Sequence, residues 1–239
     1  MKVIIETPER IAELAAQQYV NLLHQKPDAI LGFATGSTPL ALYAELARLN
    51  RAGQLSFAQA SSFNLDEYAG LDGAHDQSYR YFMNTNLFEK IDLPIARTKV
   101  PSGFCKDDAQ AAEYDAEIEA AGGIDVQLLG IGQNGHIGFN EPGTPFGSRT
   151  HRVALTESTR RANARFFASL DEVPTHAVTM GVRTVMNAKS IILIALGASK
   201  APIMKEMLYG PVTENVPASV LQLHPSVTVY VDAEAASML

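Results

Sequence analysis

The feature that most constrains the fold of this chain is a set of nearly continuous apolar runs separated by stretches with helical spacing. Strands that are buried on both faces have this composition, and they occur in parallel sheets covered by helices. The runs are Val3–Ile5, Ala29–Phe33, Ile124–Ile131, Ser190–Leu196 and Val227–Val231. The pattern predicts an α/β fold, a single doubly wound domain with a mostly parallel sheet and helices on both faces.

Helix signals fall between these strands. Thr7 and Pro8 suit the cap and the first position of a helix that runs towards His24. Further helices are predicted at Pro39–Arg51, Ser78–Glu89, Asp107–Ala121, Ser158–Leu170 and Ala201–Leu208, with a strand at Ser61–Leu65 and loops at Pro94–Lys106 and Pro142–His151. No repeat or linker-like stretch interrupts the pattern, so residues 1–239 are interpreted as one domain.

The charge balance bears on the kinds of partner that this chain suits. It has 19 Lys and Arg against 26 Asp and Glu, a formal net charge of −7, and no basic run. This argues against nucleic-acid binding and against an anionic membrane surface, whereas local cations and helix N-termini still suit an anionic small molecule. No apolar run approaches the length of a membrane span.

The cysteines and histidines of the chain indicate its cellular compartment and whether its sequence has the pattern of a metal site. Cys105 is the single cysteine, so an internal disulfide is excluded and a reducing compartment is indicated. The segment Met1–Glu6 is too short and too soon charged for a signal peptide, and the protein is therefore predicted to be cytoplasmic. The lone cysteine and the scattered histidines offer no spacing typical of a metal site.

The densest group of polar residues follows Ile124–Ile131. Four glycines there bring an imidazole, two amides and a carboxylate within eight positions, namely His136, Asn134, Asn140 and Glu141. Ligands of open α/β sheets bind just past the carboxyl ends of the strands, where glycine lets the backbone approach closely. A base that titrates near neutral pH, close to a carboxylate, indicates proton transfer. The alternative is a glycine-rich turn whose histidine caps a helix, and this motif alone leaves both interpretations open.

The turn after Ala29–Phe33 has the character of an anion site. Small and hydroxylated residues precede Pro39, which lies in the first turn of the next helix: Thr35, Gly36, Ser37 and Thr38. Free backbone N–H groups and the helix dipole favour phosphate at such a position. The turn lacks the lysine and the spacing of a nucleotide P-loop, so ATP or GTP binding is not predicted. A plain Ser/Thr helix cap is the alternative.

Two acids, Asp66 and Glu67, precede Tyr68 at the end of Ser61–Leu65. A carboxylate that is partly desolvated there has the raised basicity needed to take a proton from carbon. Aspartate is also routine in turns, and without other observations the turn interpretation is favoured for this segment.

Cations near two predicted helices suit phosphate. Lys200 lies at a helix start, where the dipole disfavours a cation, and a bound phosphate would relieve that conflict. Arg161 and Arg165 are spaced to share one face of a helix and grip an anion. In each case the alternative is a side chain that extends into solvent.

Together these segments resemble the glucosamine-6-phosphate deaminase family, also called glucosamine-6-phosphate isomerases. The matching segments lie in the family's order over nearly the whole chain, at 34–40, 63–68, 135–142, 148–150, 163–167 and 221–225. The resemblance implies a Rossmann-like sheet. It also implies the conversion of glucosamine 6-phosphate and water to fructose 6-phosphate and ammonia, with no cofactor.

The resemblance also implies roles for residues. Asp66 corresponds to the general base that moves a proton between neighbouring sugar carbons. His136 corresponds to the ring-opening group, which Glu141 tunes and Asn134 supports. The phosphate is assigned to Thr35, Gly36, Ser37, Thr38, Arg165 and Lys200. Arg165 would lie on a mobile lid at about 142–167, and the expected partner is a small-molecule sugar phosphate.

The chain departs from the family pattern in two respects. Many members have aspartate where this chain has Asn134, so Glu141 would be the only carboxylate that tunes His136. Allosterically activated hexameric members have a longer C-terminal tail and basic residues at the positions aligned with His151 and Val153. We therefore expect a monomer or small homo-oligomer that N-acetylglucosamine 6-phosphate does not activate.

Two rival functions remain at this point. A 6-phosphogluconolactonase has a related fold, a similar phosphate turn and a Gly-His motif, but its motif does not continue with the Phe-Asn-Glu-Pro of residues 139–142. A sugar-phosphate sensor domain of a transcription regulator can keep the phosphate turn and lose the catalytic groups. Here Asp66, His136 and Glu141 are all present, and no helix-turn-helix segment precedes the strand at Ala29.

Overall fold

The computed structural model describes residues 1–157, 160, 167 and 169–239. Within these ranges the strands are β1 Lys2–Ile5, β2 Ile30–Phe33, β3 Ser61–Asn64, β4 Asp66–Tyr68, β5 Thr98–Lys99, β6 Val126–Leu129, β7 His151–Ala154, β8 His176–Thr179, β9 Ile191–Ala195 and β10 Val227–Val231. The helices are α1 Pro8–Gln25, α2 Leu40–Arg51, α3 Tyr79–Asn86, α4 Asp108–Ala111, α5 Glu113–Ala121, α6 Val182–Met186 and α7 Ala201–Tyr209. Short 3-10 helices include Ala198–Lys200 and Pro217–Leu223.

The larger sheet confirms the predicted α/β architecture. Seven strands lie in the order β1-β10-β9-β6-β2-β3-β5, and every neighbouring pair is parallel. All residues of β2, β6 and β9 are buried, as their apolar composition predicts. The chain order reverses between β2 and β6, and this is the place where open α/β sheets bind ligands.

The predicted start of α1 is confirmed at atomic detail. The Thr7 hydroxyl accepts a hydrogen bond from the backbone N–H of Arg10 at 3.3 Å, and Pro8 opens the helix. The apolar face of α1 then buries Ile11, Ala15 and Tyr19 in the core. The sequence therefore positions this helix both by its cap and by its buried face.

The second sheet was not predicted. It is antiparallel, has the order β4-β8-β7, and pairs Asp66 with Thr179. The turn that local composition favours at Asp66–Tyr68 is thus a short strand. Its partner lies far along the chain, so no local pattern reveals the pairing, and acidic residues have low β propensity.

Smaller differences concern the helices. The predicted helix Asp107–Ala121 is divided into α4 and α5, and α6 lies in a stretch for which no helix was predicted. The loop predicted at Pro94–Lys106 includes the two-residue strand β5. Most of the helix predicted at Ser158–Leu170 lies outside the described residues. Each helix in the described part of the chain is too short or too polar to span a lipid bilayer.

The segment 148–150 fastens α6 to the rest of the fold. Ser148 accepts hydrogen bonds from the N–H of Val182 through its hydroxyl at 3.1 Å and from the N–H of Arg183 through its carbonyl at 3.0 Å. Gly181 precedes α6, and a Cβ on Gly181 would lie 2.2 Å from the carbonyl oxygens of Ser148 and Arg149. Glycine is therefore needed for this close approach.

We expect Gly181→Ala to lower the free energy of unfolding by about 1–3 kcal/mol, because backbone atoms must move apart to admit the methyl group. Urea denaturation measures this change. Gly147→Ala is the matched control, since a Cβ there meets no atom within 4 Å. Equal unfolding midpoints for the two variants would contradict the prediction.

Candidate active site

A cleft of about 810 Å³ opens at the carboxyl ends of the central strands. Strand β4 and the loops after β2, β6 and β9 supply much of its polar lining, which includes Thr35, Gly36, Ser37, Thr38, Asp66, Asn134, His136 and Lys200. The structure therefore brings together in one cavity most of the residues that the sequence singles out. Glu141 lies behind His136, and Arg165 lies outside the described residues.

The turn after β2 presents a helix N-terminus to the cleft. Gly36 has a φ of 96°, a left-handed conformation that favours glycine. α2 begins at Leu40, and no side chain caps its first turn. The N–H groups of an uncapped helix start carry partial positive charge and suit a phosphate.

Asp66 lies in β4 at the edge of the cleft, and the residue is only 6% exposed. Burial, followed by the negative charge of Glu67, raises the pKa of Asp66 to about 8. The loop after β6 passes close by, since a Cβ on Gly138 would lie 3.6 Å from a carboxylate oxygen of Asp66. A carboxylate with this raised pKa is a stronger base than an exposed aspartate.

His136 lies across the cleft in a small hydrogen-bonded cluster. An Oε2 atom of Glu141 lies 3.5 Å from Nδ1 of His136 and accepts a hydrogen bond from the Asn134 amide at 2.7 Å. The Asn134 oxygen in turn accepts from the backbone N–H of His136 at 3.2 Å. Glu141 therefore favours a proton on Nδ1, which leaves Nε2 as the nitrogen free to exchange a proton.

Backbone packing determines where the imidazole lies. A Cβ on Gly132 would come within 2.2 Å of the His136 ring, so the ring packs directly on the Gly132 backbone. Gly135 has a φ of 86°, and its carbonyl accepts a hydrogen bond from the N–H of Ala218 at 2.9 Å. Asn140 donates to the carbonyls of Ile137 and Met180 at 2.8 Å each, which makes it a support of the loop.

Lys200 reaches the cleft from the 3-10 turn before α7. Its ammonium donates a hydrogen bond to the carbonyl of Ile131 at 2.6 Å, and burial lowers its pKa. A cation that is partly desolvated beside a helix start gains from a bound anion. The position therefore complements the turn after β2.

An aromatic wall completes the cleft, and sequence reasoning missed it. The rings of Tyr68 and Tyr79 lie 4.7 Å apart, those of Tyr79 and Phe139 stack at 6.1 Å with an angle of 5°, and Phe167 lies 5.9 Å from Tyr68. Three of these residues, Tyr68, Phe139 and Phe167, belong to the segments 63–68, 135–142 and 163–167, and their aromatic character is the signal in the sequence. Such a wall gives a carbohydrate an apolar surface and excludes water.

No group of three or more His, Cys, Asp or Glu side chains in the described ranges is arranged to hold a metal ion.

Comparison with known proteins identifies the family to which this chain belongs. Residues 6–230 match the model of the glucosamine-6-phosphate isomerase and 6-phosphogluconolactonase family. A glucosamine-6-phosphate deaminase of Bacillus pumilus is 50% identical over 98% of this chain and 97% of its own. That of Bacillus velezensis is 52% identical over 95% of each chain.

Solved structures of a deaminase and of a lactonase resemble this chain to different degrees. A monomeric glucosamine-6-phosphate deaminase, described as a missing link of the NagB superfamily, has a TM-score of 0.96 and 47% identity over 100% of both chains. A 6-phosphogluconolactonase of Thermotoga maritima has a TM-score of 0.75 but 19% identity, over 96% of this chain and 97% of its own. The second likeness concerns the fold alone.

Proposed function

The chain belongs to the family of glucosamine-6-phosphate isomerases and 6-phosphogluconolactonases, and we infer that it is a glucosamine-6-phosphate deaminase. The reaction converts glucosamine 6-phosphate and water to fructose 6-phosphate and ammonia. The observation that carries this inference is the buried Asp66 facing the same cleft as the His136–Glu141 pair and the turn after β2. Relatives that bear this name are about half identical to the chain over nearly its whole length.

The sugar must first be open, because isomerisation needs a free carbonyl beside the carbon that bears the amine. His136 is placed to move a proton to or from the ring oxygen through Nε2, with a Glu141 carboxylate oxygen 3.5 Å from Nδ1. Asn134 holds the Glu141 carboxylate in place. An amide in this position leaves Glu141 as the carboxylate that tunes His136.

Asp66 then serves two adjacent carbons. It takes the proton from C2, the electron pair forms a C1–C2 double bond, and the C1 oxygen gains a proton in place of one that the C2 ammonium releases. Asp66 then returns its proton to C1 while the nitrogen lone pair forms the carbon–nitrogen double bond. The product is an imine at C2. Water adds to the carbon–nitrogen double bond, and ammonia leaves with the ketose remaining. A single base with a raised pKa suits both transfers, because it must accept a proton from carbon and give it back.

Binding of the substrate phosphate orients the sugar in the cleft. We assign it to the start of α2, with Thr35, Gly36, Ser37 and Thr38, together with Lys200 and with Arg165 from a lid at about 142–167. Binding energy from a remote phosphate aligns the reacting carbons with Asp66. The protein is proposed to act in the cytoplasm as a monomer or small homo-oligomer, with the sugar phosphate as its small-molecule partner.

Ammonia release tests the function directly. The purified protein is incubated with glucosamine 6-phosphate without added cofactor, and ammonia and fructose 6-phosphate are measured in parallel. We expect equal amounts of the two products. Binding of the sugar phosphate without release would favour the sensor interpretation, and hydrolysis of 6-phosphogluconolactone instead would favour the lactonase.

Lys200→Met should weaken phosphate binding while keeping most of the side-chain volume. Loss of one charge-assisted hydrogen bond predicts an increase of about 10- to 100-fold in KM and in the inhibition constant of inorganic phosphate, with a smaller change in kcat. Lys205→Met, an exposed lysine of α7, is the control. A normal KM for Lys200→Met would remove Lys200 from the phosphate site.

Activation by N-acetylglucosamine 6-phosphate is not expected, because His151 and Val153 stand where activated relatives have basic residues. Initial rates over a range of substrate concentrations, with and without saturating N-acetylglucosamine 6-phosphate, check this. A sharp fall in the half-saturating substrate concentration would contradict the expectation.

A further inference from the structure

Glu67 is a buried carboxylate that the proton transfers above do not use. It follows Asp66 in β4, and the residue is 3% exposed. Its Oε1 atom accepts hydrogen bonds from the backbone N–H groups of Tyr68 and Tyr79, each at 2.8 Å, and Oε2 accepts from the N–H of Arg80 at 2.9 Å. Burial raises the pKa of Glu67 above its ordinary value, whereas these three donors around its two oxygens favour the carboxylate form.

These hydrogen bonds join the strand that carries Asp66 to one wall of the cleft. Tyr79 and Arg80 are the first residues of α3, and the N-cap Ser78 satisfies the N–H of Tyr81 at 3.0 Å. Glu67 therefore satisfies N–H groups that the helix leaves open, and its charge complements the helix dipole. Because Tyr79 also lines the cleft, Glu67 determines how the base and this wall are spaced.

The charge of Glu67 also acts on Asp66. Among the described residues, four tyrosine hydroxyls also interact electrostatically with Asp66, and they stay neutral because burial raises the pKa of each: Tyr43 of α2, Tyr68 of β4, Tyr79 of α3 and Tyr114 of α5. His136 faces the cleft from the loop after β6, and Lys200 faces it from the turn before α7. Arg80 acts on Glu67 itself.

We propose that Glu67 is a positioning residue for the reaction, which fixes Asp66 against α3 and whose negative charge keeps Asp66 a strong base. The proposal rests on the proposed function, because it takes Asp66 as the base. Like charges at close range disfavour ionisation of each other, so an adjacent anion strengthens a carboxylate base. Glu67 acts through Asp66 and does not itself touch the reacting carbons.

Two variants separate the effect of the Glu67 charge from the effect of its side-chain length. Glu67→Gln keeps the length but removes the charge, whereas Glu67→Asp keeps the charge but shortens the reach to α3. The readout is the pH dependence of kcat/KM for ammonia release. We expect Glu67→Gln to move the acid limb to lower pH by roughly one unit and to lower the plateau about threefold. Glu67→Asp should leave the limb in place and lower the melting temperature. An unmoved limb in Glu67→Gln would overturn the proposal.

A direct measurement needs no turnover. Carbon-13 NMR follows the Asp66 carboxyl in the wild type, in Glu67→Gln and in Glu67→Asp. Because the charge of Glu67 acts on the ionisation of Asp66, the Asp66 titration should move to lower pH in Glu67→Gln and stay in place in Glu67→Asp. An unmoved Asp66 titration in Glu67→Gln would overturn the proposal even in an active enzyme. A wild type that releases no ammonia would refute the proposed function instead, and the NMR titration would still decide the coupling.

Discussion

Asp66→Asn is expected to lower kcat for ammonia release by about 10²–10⁴, because the amide cannot accept a proton from C2. The replacement has the same shape, so the cleft should remain intact. Binding of fructose 6-phosphate, measured by calorimetry, should stay within about threefold of wild type since the phosphate contacts are unchanged. Asp171→Asn, at an exposed aspartate that does not line the cleft, is the matched control.

Stability should change in the opposite direction to activity. The pKa of Asp66 is raised to about 8 in the folded protein, above its ordinary value of 3.8. The folded state therefore binds the proton more tightly than the unfolded state, and stability falls as pH rises from about 4 to about 8. Asp66→Asn removes this dependence, so its free energy of unfolding above pH 8 should exceed that of wild type by a few kcal/mol. A variant that is less stable than wild type at pH 9 and pH 5 alike would contradict this account.

The acid limb of the wild-type profile offers a related check. The limb of kcat/KM reports groups of the free enzyme, so its midpoint should lie near the pKa of about 8 for Asp66. A substrate ammonium close to the carboxylate would favour the anion. The corresponding limb of kcat should then lie at lower pH.

The larger sheet was predictable because its strands carry their own signal. β2, β6 and β9 are buried on both faces, so nearly every residue is apolar and the runs stand out in the sequence. The start of α1 was predictable for a similar reason, since Thr7 and Pro8 act locally. Both signals depend on residues that are close together in the chain, so they can be recognised in the sequence alone.

The second sheet and the role of Glu67 have causes that act over long distances. Asp66 pairs with Thr179, and the Glu67 carboxylate binds N–H groups of α3, contacts that no local periodicity encodes. For the same reason the residues alone favoured a turn at Asp66, and the resemblance was needed to single it out as a base. The structure adds what decides its chemistry, namely burial and an adjacent negative charge.

His136→Gln should lower kcat for glucosamine 6-phosphate by about 10²–10⁴, because glutamine cannot carry a proton to and from the ring oxygen. The residue packs on Gly132 and lies 3.5 Å from Glu141, so a flat amide of similar size keeps these contacts. His24→Gln, on the exposed side of α1, is the control.

An acyclic ligand distinguishes ring opening from a general loss of the site. An amino alditol 6-phosphate has the substrate's amine and phosphate but no ring, so its binding does not depend on proton transfer at a ring oxygen. Its inhibition constant should therefore stay within about threefold of wild type in His136→Gln, while kcat falls. Weakening of this inhibitor by the same factor as kcat would show that His136 holds the sugar, and ring opening would then need another group.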